Sequence, residues 1–309
     1  TDLLFERRQI NTFIFLFLGP GAPRKGEIMI KIIADTTCGL PLDTLKQAGI
    51  ETLPQIITFG TETFRDDTEM DTNSFLEKLR ASKNLPGTAA PPPALYAPIY
   101  ERILAAGDTA LVITPSAKVS GTFRSATVAA NEFKTDQIHV IDSNTVAGGL
   151  GSLVLAAKQW ADAGLTIEEV KENVTEMSSR ERLFFLVPTL EYLHKGGRIG
   201  GASKLVGTLL KIVPILTIRE GQVEPFDKVR TVKQAVRTIV DLTAEYCKDN
   251  PEAYLTVSEC DSEPLLTQVT QELTAATGIE DIPRYTVPPA IVVHGGPGLI
   301  ETSCFIARN

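Results

Sequence analysis

Short apolar runs rich in β-branched residues alternate with helical stretches through the first half of this chain. Ile30–Ala34, Ala110–Thr114 and Ile138–Ile141 have the composition of strands, while Ala94–Ala106 and Gly149–Ala163 have that of helices. The alternation predicts a parallel α/β sheet flanked by helices. Ligands on such sheets bind at the carboxyl ends of the strands, so we expect a site where polar residues follow the strands.

The second half of the chain has a different pattern, with hairpins as well as crossovers. A buried strand is predicted at Leu183–Val187 and another at Pro214–Arg219. The turn Glu220-Gly221-Gln222 predicts that Val223–Val229 pairs back as a hairpin. Ile291–Val293 also has the composition of a strand. We therefore predict two α/β domains, the first with a parallel sheet and the second with a mixed sheet.

The domain limits follow from the change of pattern near Arg180. We expect an N-terminal domain over residues 29–180 and a C-terminal domain over residues 181–309. In the first of these, Thr52–Phe59 is predicted as the second strand. Residues 1–28 are interpreted as a leader or extension outside the fold. The apolar run Phe13–Leu18 is too short to span a bilayer, so we expect no stable membrane insertion.

Composition excludes several classes of function. The net charge of −8 argues against a nucleic-acid partner, since phosphate neutralisation needs a basic surface. The four cysteines are scattered, which predicts reduced thiols in a cytoplasmic protein. The three histidines do not have the spacing of metal ligands on one helix, so we expect no metal site.

Uncharged donors follow two of the apolar segments. Ser120-Gly121-Thr122 precedes a predicted helix, where free N–H groups favour a carboxylate or phosphate. Thr88 supplies one of the few donors in a proline-rich loop. Gly148-Gly149 opens a helix and is a further site of close approach. The alternative explanations of these three features are, in order, an ordinary N-cap, a plain linker and helix–sheet packing.

Three basic or protonatable groups lie at the ends of predicted elements. Arg198 ends a Lys-Gly-Gly-Arg run, Arg230 precedes a helix, and His294 adjoins a glycine-rich turn. Together they can converge on a phosphate, although each alone fits a surface position. A Ser–His–Asp hydrolase can also be assembled from Ser120, His294 and Asp35 or Asp142, but the G-x-S-x-G elbow is absent.

Several of these segments together resemble the DegV family, the bacterial fatty-acid-binding proteins that serve fatty acid kinase. The resemblance runs from Met29 to Arg308 and is carried by the order and spacing of its parts. These are Ile32–Thr37, Thr88 with its proline-rich tail, Ser116–Thr122, Val140–Ser143, Leu190–Ile199, Lys228–Thr231 and His294–Gly298.

The resemblance implies two α/β domains with one long-chain fatty acid buried between them and no other cofactor. It implies that Thr88 and Ser120 hydrogen-bond the carboxylate, with Gly121, Thr122, Gly148 and Gly149 around it. Arg198, Arg230 and His294 match the positions linked to the kinase and to phosphoryl transfer. The kinase phosphorylates the bound carboxylate with ATP, and the acyl phosphate goes to acyltransferases of phospholipid synthesis. The binding protein is itself not an enzyme.

The chain departs from the family pattern around the expected headgroup. The family usually has T-S-Q-P-S where this chain has Thr88-Ala89-Ala90-Pro91-Pro92, and S-S-x-L-S-G-T where it has Ser116–Thr122 with Ala117 and Val119. The two hydroxyls Thr88 and Ser120 are kept. Two alternatives therefore stay open: a hydrolase or phosphotransferase acting on a small acyl substrate, and a regulatory lipid-binding protein without a kinase partner.

Overall fold

The structure, a computed structural model, describes residues 28–207, 212–250 and 252–308. Apart from Ile28, the expected leader at residues 1–28 lies outside the described residues. In these ranges the strands are β1 (Ile30–Asp35), β2 (Glu51–Leu53), β3 (Ile56–Phe59), β4 (Glu62–Arg65), β5 (Gly87–Ala89), β6 (Thr109–Thr114), β7 (Ile138–Asp142), β8 (Glu181–Leu186), β9 (Val213–Arg219), β10 (Gln222–Val229), β11 (Thr256–Glu259), β12 (Arg284–Thr286) and β13 (Ile300–Phe305).

The helices follow the same alternation. They are α1 (Leu42–Gln47), α2 (Thr72–Ala81), α3 (Pro93–Ala105), α4 (Thr122–Asn131), α5 (Ala147–Asp162), α6 (Ile167–Ser179), α7 (Glu191–Lys195), α8 (Val232–Cys247), α9 (Glu263–Thr277) and α10 (Pro289–Gly295). Short 3₁₀ turns lie at Thr36–Cys38 and Gly200–Leu205.

A four-stranded parallel sheet forms the centre of the N-terminal half. Its strand order is β2-β1-β6-β7, and every pairing in it is parallel. Strand β6 is buried along its whole length and β1 along most of it, which suits their continuous apolar sequences. The prediction of a parallel sheet with flanking helices is confirmed.

A six-stranded mixed sheet forms the C-terminal half, in the order β10-β9-β8-β13-β11-β12. The pair β11–β12 is parallel, and the other pairs of this sheet are antiparallel. The predicted hairpin is present as β9 and β10, with Gln222 opposite Arg219. The prediction of a second α/β domain with a mixed sheet is confirmed.

A small antiparallel sheet, β4-β3-β5, bridges the two halves. Ile57 and Phe59 of β3 and Phe75 of α2 share one core cluster with Leu183 and Phe185 of β8. A segment from the N-terminal half of the sequence therefore packs on the second large sheet. The limits at residues 29–180 and 181–309 stay a prediction.

Helix α5 lies between the two large sheets and contacts β1 and β6 on one side and β11 and β13 on the other. Its side chains Leu150, Leu153 and Val154 are fully buried. Full burial of such a side chain stabilises a fold by about 1.5–3 kcal/mol. The apolar sequence of this helix thus ties the two sheets together.

Two predicted strands differ from the structure. The expected strand Thr52–Phe59 divides at Pro54, because proline donates no ladder hydrogen bond and the N–H of Gln55 goes to the side chain of Asp66 at 2.8 Å. Its two parts belong to different sheets. The strand expected at Ile291–Val293 is wrong: these residues lie in α10, where the preceding prolines preset a helical start.

None of the helices in the described ranges combines the length and apolar composition that a transmembrane span requires. The four cysteines are buried and free.

Candidate functional site

A cavity of about 110 Å³ lies between the carboxyl ends of the parallel strands and the face of the mixed sheet. Thr88, Ser120, Gly121, Arg198 and His294 all line it. Most of the remaining wall is apolar and includes Val119, Val146, Leu183, Phe185, Leu193, Ile218, Val223, Ala290, Ile291 and Leu299. Residues far apart in the sequence thus meet around one apolar space with a polar end.

Thr88 and His294 form a hydrogen-bonded pair at the polar end. Thr88 lies on β5 and His294 in the last turn of α10, with 2.9 Å between Thr88 Oγ1 and His294 Nε2. Burial, with the nearby charge of Arg198, lowers the pKa of His294 to about 4. The imidazole is therefore neutral at physiological pH, with one N–H donor and one acceptor nitrogen.

The second nitrogen of the ring decides the direction of that hydrogen bond. His294 Nδ1 is buried and has no hydrogen-bond partner among the residues that the structure describes. An unpaired N–H there would leave a donor unsatisfied, so the proton belongs on Nε2, which then donates to Thr88 Oγ1. This arrangement leaves the hydroxyl proton of Thr88 free to be donated to a ligand.

Gly196 allows this position of the imidazole. A β-carbon on Gly196 would come within 2.3 Å of His294 Nδ1 and 2.9 Å of the carbonyl of Tyr192. The Lys-Gly-Gly-Arg run therefore has a packing role as well as supplying a cation.

Ser120 is the outermost hydroxyl of a buried chain of hydrogen bonds. Its Oγ lies 2.9 Å from Thr122 Oγ1, and Thr122 donates to Asp35 Oδ2 at 2.7 Å. Gln55 Nε2 donates to the same Asp35 oxygen at 2.6 Å and contacts Thr122 Oγ1 at 3.0 Å. Because the single hydroxyl proton of Thr122 goes to Asp35, Thr122 accepts from Ser120. A carboxylate that approaches Ser120 can accept a hydrogen bond from its hydroxyl in place of Thr122.

Asp35 is the buried acceptor that organises this chain. Burial raises its pKa, and hydrogen bonds from Thr37, Thr122 and Gln55 oppose that rise. Asp35 ends β1 and caps the following 3₁₀ turn by accepting from the Thr37 N–H at 2.9 Å. The end of the strand thus fixes the orientation of the polar wall, as expected for a parallel sheet.

Arg198 joins the two halves at the cavity. Its Nε donates to the carbonyl of Val119 at 3.0 Å, and one terminal nitrogen donates to the carbonyl of Gly196 at 2.7 Å. The guanidinium is thereby held beside His294 and adds one positive charge to the polar end.

The two runs that carry Thr88 and Ser120 are in direct contact. A β-carbon on Gly121 would lie 3.4 Å from that of Ala90, and the hydroxyl of Ser125 donates to the carbonyl of Pro91. The small side chains at positions 90 and 121 let the proline-rich loop pack against the start of α4.

Four predicted site residues do not line the cavity. Thr122 is buried behind Ser120, in the hydrogen-bonded chain. Gly148 and Gly149 lie in the first turn of α5, against Glu301 and Glu181 respectively. Arg230 is exposed beyond β10, and its N–H donates to the side chain of Gln234 at 3.1 Å.

The sequence reasoning missed three polar residues of the cavity wall, Thr37, Gln55 and Glu301. Gln55 follows Pro54, and a polar residue after a strand-breaking proline was a usable signal. Glu301 lies inside the apolar strand β13. A lone carboxyl in such a run was the signal for it.

A Ser–His–Asp triad is not formed. Asp35 bonds Thr37, Gln55 and Thr122. His294 bonds Thr88, and its Nδ1 has no partner in the described part of the chain. The histidine thus lacks the carboxylate that would orient it as a general base. In the described ranges, no group of three His, Cys, Asp or Glu side chains is placed to hold a metal ion.

Comparison with known proteins gives one consistent result. The family model of the DegV family matches residues 29–306. A DegV domain-containing protein of Streptomyces coelicolor is 31% identical over 273 residues, which cover 88% of this chain and 96% of that protein.

Solved structures agree in fold. A DegV family protein of Thermus thermophilus, described as fatty acid binding, superposes with a TM-score of 0.85 at 29% identity, covering 91% of this chain and 100% of that chain. DegV of Bacillus subtilis, described as a fatty acid binding protein, superposes with a TM-score of 0.81 at 29% identity, covering 90% of this chain and 100% of that chain.

Proposed function

This chain belongs to the DegV family, and we propose that it binds a long-chain fatty acid between its two halves and presents the carboxylate to a fatty acid kinase. In this proposal the protein is a cytoplasmic carrier and not itself an enzyme. The observation that carries it is the meeting of Thr88, Ser120, Arg198 and His294 at one end of an otherwise mostly apolar cavity. The fatty acids bound by its relatives support the class of ligand.

The apolar wall would supply most of the binding free energy. Burial of an acyl chain is worth roughly 0.8 kcal/mol per methylene before the costs of association. A chain of sixteen carbons would gain about 10 kcal/mol on that scale if fully buried, which requires the cavity to widen beyond its volume of about 110 Å³. The contacts at the carboxylate then need only fix its position.

The polar end suits a carboxylate that must stay reactive. The hydroxyl proton of Thr88 is free to be donated to it, and Ser120 can turn its hydroxyl proton from Thr122 to the carboxylate. Two of the five N–H donors of Arg198 already go to backbone carbonyls, which leaves fewer of them for the carboxylate. The carboxylate therefore keeps lone pairs for attack on a phosphorus atom.

The reaction at this site would be phosphoryl transfer from ATP by a separate kinase. A carboxylate oxygen attacks the γ-phosphorus, the bond to the β–γ bridging oxygen breaks, and acyl phosphate and ADP result. The product carries additional negative charge. Arg198 would stabilise that charge directly, whereas the exposed Arg230 is in a position to meet the kinase.

Mass spectrometry of the purified protein tests ligand binding. Denaturation should release a long-chain fatty acid, and the double variant Thr88→Val with Ser120→Ala should release much less. Thr63→Val is a matched control, because Thr63 is an exposed residue of β4. An unchanged yield from the double variant contradicts the assignment of the carboxylate site.

A second assay separates the carrier from the two alternatives. A bacterial fatty acid kinase and ATP are added to the loaded protein, and acyl phosphate is trapped with hydroxylamine. Hydroxamate formed only with both proteins present supports presentation to the kinase. Binding without hydroxamate favours a regulatory lipid-binding protein, and ester or ATP turnover by the isolated chain favours an enzyme.

A further inference from the structure

A carboxyl group lies in the apolar floor of the cavity. Glu301 is on β13, with Phe185 of β8 opposite it on one side and Ser258 of β11 on the other. The residue lines the cavity and is 4% exposed. Ser258 Oγ and Thr256 Oγ1 lie with Glu301 around Gly148, but most of the rest of the cavity wall is aliphatic or aromatic. A simple hydrocarbon tail in the cavity offers this carboxyl no hydrogen-bond partner.

One oxygen of Glu301 is already bonded. Gly148 N–H, in the first turn of α5, donates to Oε1 at 3.1 Å. The approach needs a glycine, because a β-carbon on Gly148 would lie 3.1 Å from Oε1 and 2.6 Å from Thr256 Oγ1. Within the described ranges, the structure records no hydrogen-bond partner for Oε2.

The carboxyl is uncharged at neutral pH. Burial, with a smaller effect of the nearby Glu181 carboxyl, raises the pKa of Glu301 to about 8. Because Oε1 accepts from Gly148, the acidic proton belongs on Oε2, and Glu301 then has one hydrogen-bond donor to offer.

This donor is separate from the carboxylate end of the cavity. Glu301 Oε1 accepts from Gly148 of α5, whereas Thr88 is bonded to His294 and Arg198 to the carbonyls of Val119 and Gly196. Glu301 and the carboxylate end are therefore held by different segments of the fold. Two polar positions thus exist along one apolar space, and a ligand anchored at Thr88 and Ser120 would meet Glu301 along its tail.

We propose that the cavity takes an acyl chain with a hydroxyl or keto oxygen along its length, and that Glu301 donates a hydrogen bond to that oxygen. The inference rests on the proposed binding of a fatty acid and names the class of tail. An unsubstituted tail leaves the buried donor unpaired, whereas an oxygenated tail pairs both groups. The gain of one such hydrogen bond corresponds to about tenfold in affinity.

Competitive displacement of a fluorescent fatty acid tests the inference. Dissociation constants are measured for stearate and for monohydroxystearates with the hydroxyl at different positions along the chain. We expect at least one positional isomer to bind about tenfold more tightly than stearate. Glu301→Leu should abolish this preference, and Glu301→Gln, which keeps a donor and an acceptor, should retain it.

Glu259→Gln is the matched control, because Glu259 is a buried glutamate of the neighbouring strand β11 and does not line this cavity. It should keep the wild-type preference. If stearate binds as tightly as every hydroxylated isomer, or if Glu301→Leu keeps the preference, the inference is wrong while the proposed function stands. If neither stearate nor any isomer binds, the proposed function fails and the inference with it.

Discussion

Replacement of Glu301 by Gln should raise the free energy of unfolding of the ligand-free protein at alkaline pH. The folded chain keeps this carboxyl protonated up to a pKa of about 8, because it is buried next to Glu181. In the unfolded chain the same group ionises near its ordinary pKa of 4.5. Between these two values the folded state binds more protons, so the free energy of unfolding falls as pH rises.

The size of the effect follows from the difference between the two pKa values. Each pKa unit corresponds to about 1.36 kcal/mol. From pH 5 to pH 8 the wild type should therefore lose on the order of 3–4 kcal/mol through Glu301. Glutamine has nearly the same shape, keeps an acceptor for Gly148 N–H and has no proton to lose. The variant should therefore lose less stability over this range.

Urea denaturation at pH 5, 6, 7 and 8 measures the difference directly. The curves of free energy of unfolding against pH should diverge for wild type and Glu301→Gln as pH rises, with the variant more stable at pH 8. Glu77→Gln, on the exposed side of α2, should run parallel to the wild type. Parallel curves for Glu301→Gln would mean that the carboxyl is solvated and charged, and would refute the reasoning.

Three further outcomes are expected. Gly196→Ala should lower the yield of co-purified fatty acid by displacing His294, measured by mass spectrometry; a normal yield would show that the histidine position does not matter. Thr122→Val should cost about 1–3 kcal/mol in urea unfolding, because Asp35 loses a buried donor, and an unchanged midpoint would contradict that. The pKa of His294 is lowered to about 4, so between pH 6.5 and pH 4 the unfolded state binds more protons and the free energy of unfolding falls on acidification. His294→Gln should reduce this loss of stability. An equal loss in both proteins would count against a buried neutral imidazole.

The architecture was accessible from the sequence because its elements carry strong local signals. The apolar runs at β1, β6 and β7 have no competing interpretation, and the turn at Glu220–Gln222 specifies its hairpin. The errors arose at prolines, whose effect on the backbone outweighs the strand propensity of nearby residues. Ile291–Val293 consists of β-branched residues, but the two preceding prolines favour a helical start.

The site was accessible in part for a related reason. Thr88, Ser120 and His294 are polar residues next to proline- or glycine-rich segments of the sequence, so a role in binding could be expected. That Thr122 turns inward to Asp35 depends on a contact across 87 positions of the chain. The place of Glu301 depends on which face of β13 meets α5, and no local pattern specifies that.

The small sheet β4-β3-β5 has a mechanical consequence. Thr88 belongs to it, and its core is shared with β8, whereas Ser120 stands on the parallel sheet's side of the cavity at the start of α4. The two hydroxyls therefore belong to different units of the molecule, one packed on the mixed sheet and the other on the parallel sheet. A ligand that is hydrogen-bonded to both hydroxyls connects those two units. Any widening of the cavity between them would lengthen at least one of its two hydrogen bonds.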